Sequence, residues 1–344
     1  MRELTSAERV GIALGGGEPD RVPFFLLVTL HGARELGLSI EEYFSAPRNV
    51  VEGQLRMRAR YRHDCLYGFF YAPVEAEAWG VPVLYRDDGP PNSGEPLVRR
   101  LDDILRLEVP RVRETACLQK VLEALEALKA RSRGEVPVIG VVMSPFSLPV
   151  MQLGFEPYLE LLHERPDLLT RLLALNQEFC VSWANAQLEA GADALAYFDP
   201  VASPTIIPRE RYLATGFETD RRTLSRIRGP AAFHLASAPG LALVEDVART
   251  NAAIVTASAL EDLGAVKAAC GGRLTVLGNL NALEMRRWTA EQAEARVKEA
   301  IAKAARGGRF ILGDNHGEIP WQVPESVLEA TSAAVERHGT YPLE

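Results

Sequence analysis

From residue 136 onward, short apolar runs alternate with long amphipathic stretches, and this alternation limits the fold more than any other feature of the chain. The runs lie at 138–142, 194–198, 231–235, 253–256, 274–277 and 310–312. Two more, at 22–28 and 65–71, precede them. Several are apolar at every position, as expected of strands buried on both faces. The stretches between them include 156–191 and 288–305. The second opens with Thr289 and Gln292 in capping-box spacing and ends at Gly307 and Gly308. This is the rhythm of βα units, and a (β/α)8 barrel is the fold it favours. A doubly wound open sheet is the alternative.

The remaining segments decorate that plan. A first helix is expected with Thr5 or Ser6 as its cap, forming an N-terminal helical extension. Residues 82–110 contain a run rich in Pro, Gly and Asp and read as a hairpin-like insertion. No repeat or linker divides the chain, so residues 1–344 are expected to form one domain.

A barrel brings the C-terminal ends of its strands to one mouth, where chemistry collects. The residues at those ends are His31, Tyr71, Ser144, Asp199, His234, Asn279, Asn281 and the cluster Asp314, Asn315, His316 and Glu318. His234 and His316 suit metal ligation, acid–base chemistry or hydrogen bonding to a substrate. A zinc ion would need a third protein ligand, and Asp199, Asp314, Glu318 and Glu77 are candidates that spacing does not separate. Glu75 and Glu77 share a face only in an extended segment and point apart on a helix. Phe69, Phe70, Tyr71, Met143, Phe146, Met151 and Trp321 are candidates for an apolar pocket or for the core.

Composition narrows the partners. The net charge of −8 and the absence of a basic patch argue against nucleic acid and anionic membranes. No apolar run is long enough to span a bilayer, and the N-terminus has no signal-peptide pattern. Four cysteines lie far apart without a Cys-x-x-Cys pair, which fits reduced thiols in a cytoplasmic protein. Gly15, Gly16 and Gly17 precede a strand instead of following one, the wrong order for a dinucleotide site.

Several segments, in order, resemble the uroporphyrinogen decarboxylase superfamily: Pro19 to Pro23, Val74 to Gly80, Ser144 to Ser147, Ala190 to Asp193 with Phe198 and Asp199, Leu277 to Leu280, and Asn315 to Gly317. The resemblance covers nearly the whole chain. It implies a (β/α)8 barrel with its site at the C-terminal mouth, and a homodimer as its assembly. In the decarboxylase branch an aspartate grips pyrrole nitrogens, and that position is Tyr71 here. A tyrosine further on falls at Met151, a serine falls near Pro200, and the arginine-rich signature is missing around Phe24 to Arg34. Of that set, His316 remains.

The superfamily also includes methyltransferases that work with corrinoid proteins. Their zinc is bound by a His-x-Cys pair and a later cysteine. Here the pair reads His234-Leu235-Ala236, and the later position falls at Asn315 or His316. The resemblance therefore implies zinc held by His234, His316 and a carboxylate such as Glu77. Such zinc is a stronger Lewis acid than the thiolate-bound ion and suits an oxygen leaving group. The implied activity is methyl transfer from a small, methoxylated aromatic donor to a corrinoid carried by a partner protein. His316, His234 and Asn279 would carry the chemistry, and His31, Tyr71, Phe70, Met151, Asp199 and Trp321 would hold the donor. A tetrapyrrole decarboxylase and a non-catalytic ligand-binding barrel are the alternatives.

Overall fold

A computed structural model describes residues 3–343. Its centre is a curled parallel sheet, like that of a TIM barrel, with seven strands: β1 Leu66–Tyr67, β2 Val138–Met143, β3 Ala194–Phe198, β4 Ala231–His234, β5 Ile254–Thr256, β6 Thr275–Leu280 and β7 Phe310–Asp314. They lie side by side in chain order, and every neighbouring pair is parallel. Parallel order requires a crossover between strands, and helices supply it. The longest are Ala116–Ser132, Pro166–Glu189 and Ala290–Ala304.

The strands are apolar over most of their length because both faces are covered. Phe25, Leu27, Tyr67, Ile139, Ala196, Ala232, Ile254, Leu277 and Ile311 form an inner cluster. Their sequence neighbours, such as Val138, Leu195, Tyr197, Phe233, Val276 and Phe310, belong to the larger layer beneath the helices. Each strand thus sends alternate side chains to the concave and convex faces.

The run at 22–28 does not form the expected regular strand. Phe24 makes one parallel bridge to Leu312. The reason is chemical: Pro23 lacks an N–H, and neighbouring positions bond to side chains instead of a ladder. The Phe24 N–H donates to the Asp64 carboxylate at 2.9 Å, and the Leu27 N–H donates to Asp314 at 3.2 Å. Backbone bonds still tie the segment to both ends of the sheet: Phe25 N–H to Leu312 O at 2.8 Å, and Asp64 N–H to Phe24 O at 2.6 Å. The run at 65–71 is likewise cut to the two residues of β1.

The helix signals held. Thr5 caps Ser6–Leu14, and Thr289 with Gln292 forms a reciprocal capping box at Ala290–Ala304. The stretch 156–191 is two helices, Phe155–Glu164 and Pro166–Glu189, because Pro166 cannot continue the first and starts the second. Val83–Leu84 and Asn92–Ser93 pair antiparallel within the expected insertion.

Candidate active site

A cavity of about 430 Å³ opens beyond the C-terminal strand ends. Apolar side chains dominate its wall, among them Leu30, Phe69, Val141, Met143, Phe198 and Trp321. Its ionisable groups are Glu75, Asp88, Arg286, His316 and Glu318. A small, mostly apolar enclosure with a few polar groups is the usual form of a small-molecule site.

His316 and Trp321 stand on the loop after β7. Gly317, at φ 126°, lets that loop turn back. Two bonds fix its course: the Ile319 N–H donates to Leu27 O at 2.9 Å, and the Leu30 N–H donates to Glu318 at 2.9 Å. Thr29 adds a hydroxyl bond to the same Glu318 oxygen. Trp321 is clamped by Arg34, whose guanidinium lies 4.2 Å from the indole centre and donates to the Trp321 carbonyl at 2.7 Å. His316 bonds through Nδ1 to the Ser237 hydroxyl. Burial, with Arg286 nearby, lowers its pKa against the pull of Asp314, so a neutral imidazole faces the cavity.

His234 lies beneath. Its ring stacks on Phe198 at 4.1 Å between centroids, 20° from parallel, and Phe198 borders both the main cavity and a pocket of about 30 Å³ below it. Burial, then the neighbouring His316, push its pKa down to about 3. Its Nδ1 accepts the Ala236 N–H at 2.9 Å, so the neutral ring carries its proton on Nε2.

That tautomer does not fit zinc. A ligating histidine donates from its second nitrogen and offers a lone pair to the metal. Here the bond from Ala236 fixes the opposite arrangement. His316 has one nitrogen engaged by Ser237, and Glu77 accepts the Tyr71 hydroxyl at 2.7 Å outside the cavity. Among the described residues, no three of His, Cys, Asp and Glu are grouped to hold a metal ion.

Six of the expected substrate or catalytic residues lie elsewhere. Tyr71 is buried against Phe44 and Tyr85, and Phe70 stacks on Phe44 at 5.9 Å in the core. The chain alternates there, so Phe69 faces the cavity instead. Met151 sits on the helix Pro149–Leu153 and packs on the core, as buried Phe146 does, while Met143 reaches the cavity. Asp199 is fully buried and accepts the Ser144 and Ser147 hydroxyls at 2.6 and 2.5 Å, fixing the turn after β2. The Asn279 amide donates to Ser258 O at 3.0 Å and borders a separate cleft. His31 is buried beneath Trp321, with ring centroids 6.1 Å apart, and Leu30 takes its place in the wall.

The residue that sequence reasoning undervalued is Glu75. The segment Val74–Ala78 is helical, so Glu75 and Glu77 diverge. Glu75 is 2 % exposed, accepts the Met143 N–H at 2.9 Å and the Trp183 indole N–H at 3.2 Å, and lines the cavity. Burial raises its pKa to about 8. The helical spacing was the signal: of two acids two residues apart, one must turn inward. Arg286 carried no such signal, being one of several charged residues after β6.

The family model for uroporphyrinogen decarboxylase (URO-D) matches residues 5–338. The uroporphyrinogen decarboxylase of Janthinobacterium sp. (strain Marseille) is 25 % identical over 303 residues, covering 84 % of this chain and 82 % of that protein. That of Ralstonia nicotianae is 28 % identical over 302 residues, covering 82 % and 80 %. Among solved structures, a methyltransferase from Methanosarcina mazei superposes with a TM-score of 0.87 at 20 % identity, covering 97 % of this chain and 99 % of that one. A B12-independent methionine synthase from Shewanella sp. W3-18-1 gives a TM-score of 0.57 at 12 % identity, covering 86 % and 89 %. These structural likenesses concern the fold. With the family match spanning nearly its whole length, the chain belongs to the uroporphyrinogen decarboxylase family.

Proposed function

We propose that this protein is a methyltransferase that removes a methyl group from a small methoxylated aromatic compound and passes it to a reduced corrinoid on a partner protein. The observation that carries this reading is the cavity. It has about 430 Å³, aromatic and aliphatic walls, and, among the described residues, Arg286 as its one Lys or Arg side chain. A porphyrinogen bears several carboxylates and needs several cations to hold them. The position expected to grip pyrrole nitrogens is Tyr71, buried and bonded to Glu77.

In this reading the donor's ring lies against Phe69, Phe198 and Trp321, and neutral His316 hydrogen-bonds a polar ring substituent. His234 serves as floor under Phe198. The segment at 22–28 acts as the eighth stave of a (β/α)8 barrel, with the chain as one domain. Zinc has no part in this reading, because the His234 tautomer and the dispersed carboxylates do not suit it.

A second reading, decarboxylation, is favoured by the names of the curated relatives at 25–28 % identity. The test is to supply 2-methoxyphenol and reduced cobalamin, then uroporphyrinogen, to the purified protein. Methylcobalamin and catechol support the proposal. Porphyrinogen turnover without methyl transfer would replace it with the second reading.

A further inference from the structure

Glu75 meets a structural need that does not call for an ionisable group. Strand β2 outruns its neighbour β1: the last bond between them is the Gly68 N–H to Ile139 O at 2.9 Å. Beyond it, the N–H groups of Val141 and Met143 on that edge need other acceptors. Gln187 serves Val141, accepting its N–H at 2.9 Å and donating to its carbonyl at 2.8 Å. Glu75 serves Met143. The glutamine shows that a neutral amide suffices for this duty. A carboxyl at the second position brings an ionisable group to an apolar wall, with no salt-bridge partner among the described residues and only N–H groups bonded to it.

Its two oxygens differ. Oε1 accepts the Met143 N–H at 2.9 Å and the Trp183 indole at 3.2 Å, whereas Oε2 holds only the longer 3.1 Å share of the Met143 N–H. Oε2 is therefore the oxygen free to carry a proton, on a side chain that borders the cavity.

We propose that Glu75 is the general acid that protonates the oxygen losing its methyl group, which fits the cavity to aryl methyl ethers with poor leaving groups. This rests on the methyl-transfer reading above. The carbon–oxygen bond breaks and its electron pair stays on oxygen. The methyl carbon bonds to the electron pair of the acceptor, a two-electron nucleophile of the reduced corrinoid class. The oxygen takes the proton of Glu75 and leaves as a phenol. Water restores the proton to the carboxylate once the phenol departs.

The test uses wild type and Glu75→Gln, reduced cobalamin as acceptor, and ring-substituted methoxybenzenes from 4-nitroanisole to 4-methylanisole. Wild-type rates should vary little across the series. Glu75→Gln should lose about 10²- to 10⁴-fold on 4-methylanisole, the usual range for general acid catalysis, and far less on 4-nitroanisole, whose phenolate leaves without a proton. Equal loss across the series, or none, overturns the role of Glu75 and leaves the methyl-transfer reading standing. If Glu75→Gln does not fold, the wild-type series decides alone: a shallow dependence on leaving group supports the role, and a steep one overturns it. A wild type that demethylates none of the ethers overturns both.

Discussion

His234 lies nearly flat beneath Phe198, with ring centroids 4.1 Å apart, and the Ala236 N–H fixes its tautomer at 2.9 Å. The histidine thus acts as an aromatic floor tile. His234→Phe should fold and retain activity within about tenfold, the cost of one modest hydrogen bond. His234→Ala should destabilise by about 3–5 kcal/mol by leaving a hole under Phe198. Thermal melts and methyl-transfer rates check both. Abolished activity in folded His234→Phe would mean the imidazole does chemistry.

Asp199 should prove structural. Replacing it with alanine strands the buried Ser144 and Ser147 hydroxyls, which donate to it at 2.6 and 2.5 Å. A loss of about 2–4 kcal/mol is expected in denaturant unfolding, from two buried groups left unsatisfied. KM of the folded fraction should stay unchanged.

Trp321 should report ligand binding directly. It lines the cavity and is held by Arg34. Adding 2-methoxyphenol should change tryptophan emission, and Trp321→Ala should both remove that change and weaken binding about tenfold, as losing an aromatic contact does. Arg34→Ala should weaken binding less, since it frees the indole without removing it.

Stability should peak near pH 6.5, for reasons of opposite sign on either side. Burial raises Glu75 and Glu318 to about 8 from 4.5. Between pH 6.5 and 8 the folded chain holds protons there that the unfolded chain has released. Stability therefore falls with rising pH, by about 1.4 kcal/mol per unit for each fully coupled proton. Burial lowers His31 and His63 to about 4 and His234 to about 3, from 6.5. Below pH 6.5 the unfolded chain takes up protons that the folded chain refuses, so stability falls with falling pH, partly offset by the glutamates until about 4.5. Melting temperatures against pH check this, and Glu75→Gln should flatten the alkaline limb. A wild-type melt unchanged from pH 6.5 to 8 would contradict it.

The sheet was legible because periodicity reflects burial on two faces, which residues such as Ile139 and Val138 satisfy in alternation. The mouth was legible for His316 and Trp321, since both lie on the loop leaving β7. Tyr71, Phe70 and Met151 misled for one reason: a large apolar residue near a strand end reads the same whether it faces a cavity or the core. Asp199 misled because a fully buried acid with two hydroxyl donors has the sequence signature of a binding residue. Arg286 stayed invisible because its place depends on how the loop after β6 folds over the cavity, which no local pattern records.

The most direct test of methyl transfer is a product measurement on one sample: 2-methoxyphenol labelled in its methyl group, reduced cobalamin and the purified protein, read by mass spectrometry. The expected result is labelled methylcobalamin in equal amount with catechol, at a rate that falls when His316 is replaced by alanine. Intact 2-methoxyphenol, with carbon dioxide released from uroporphyrinogen in a parallel sample, would contradict it.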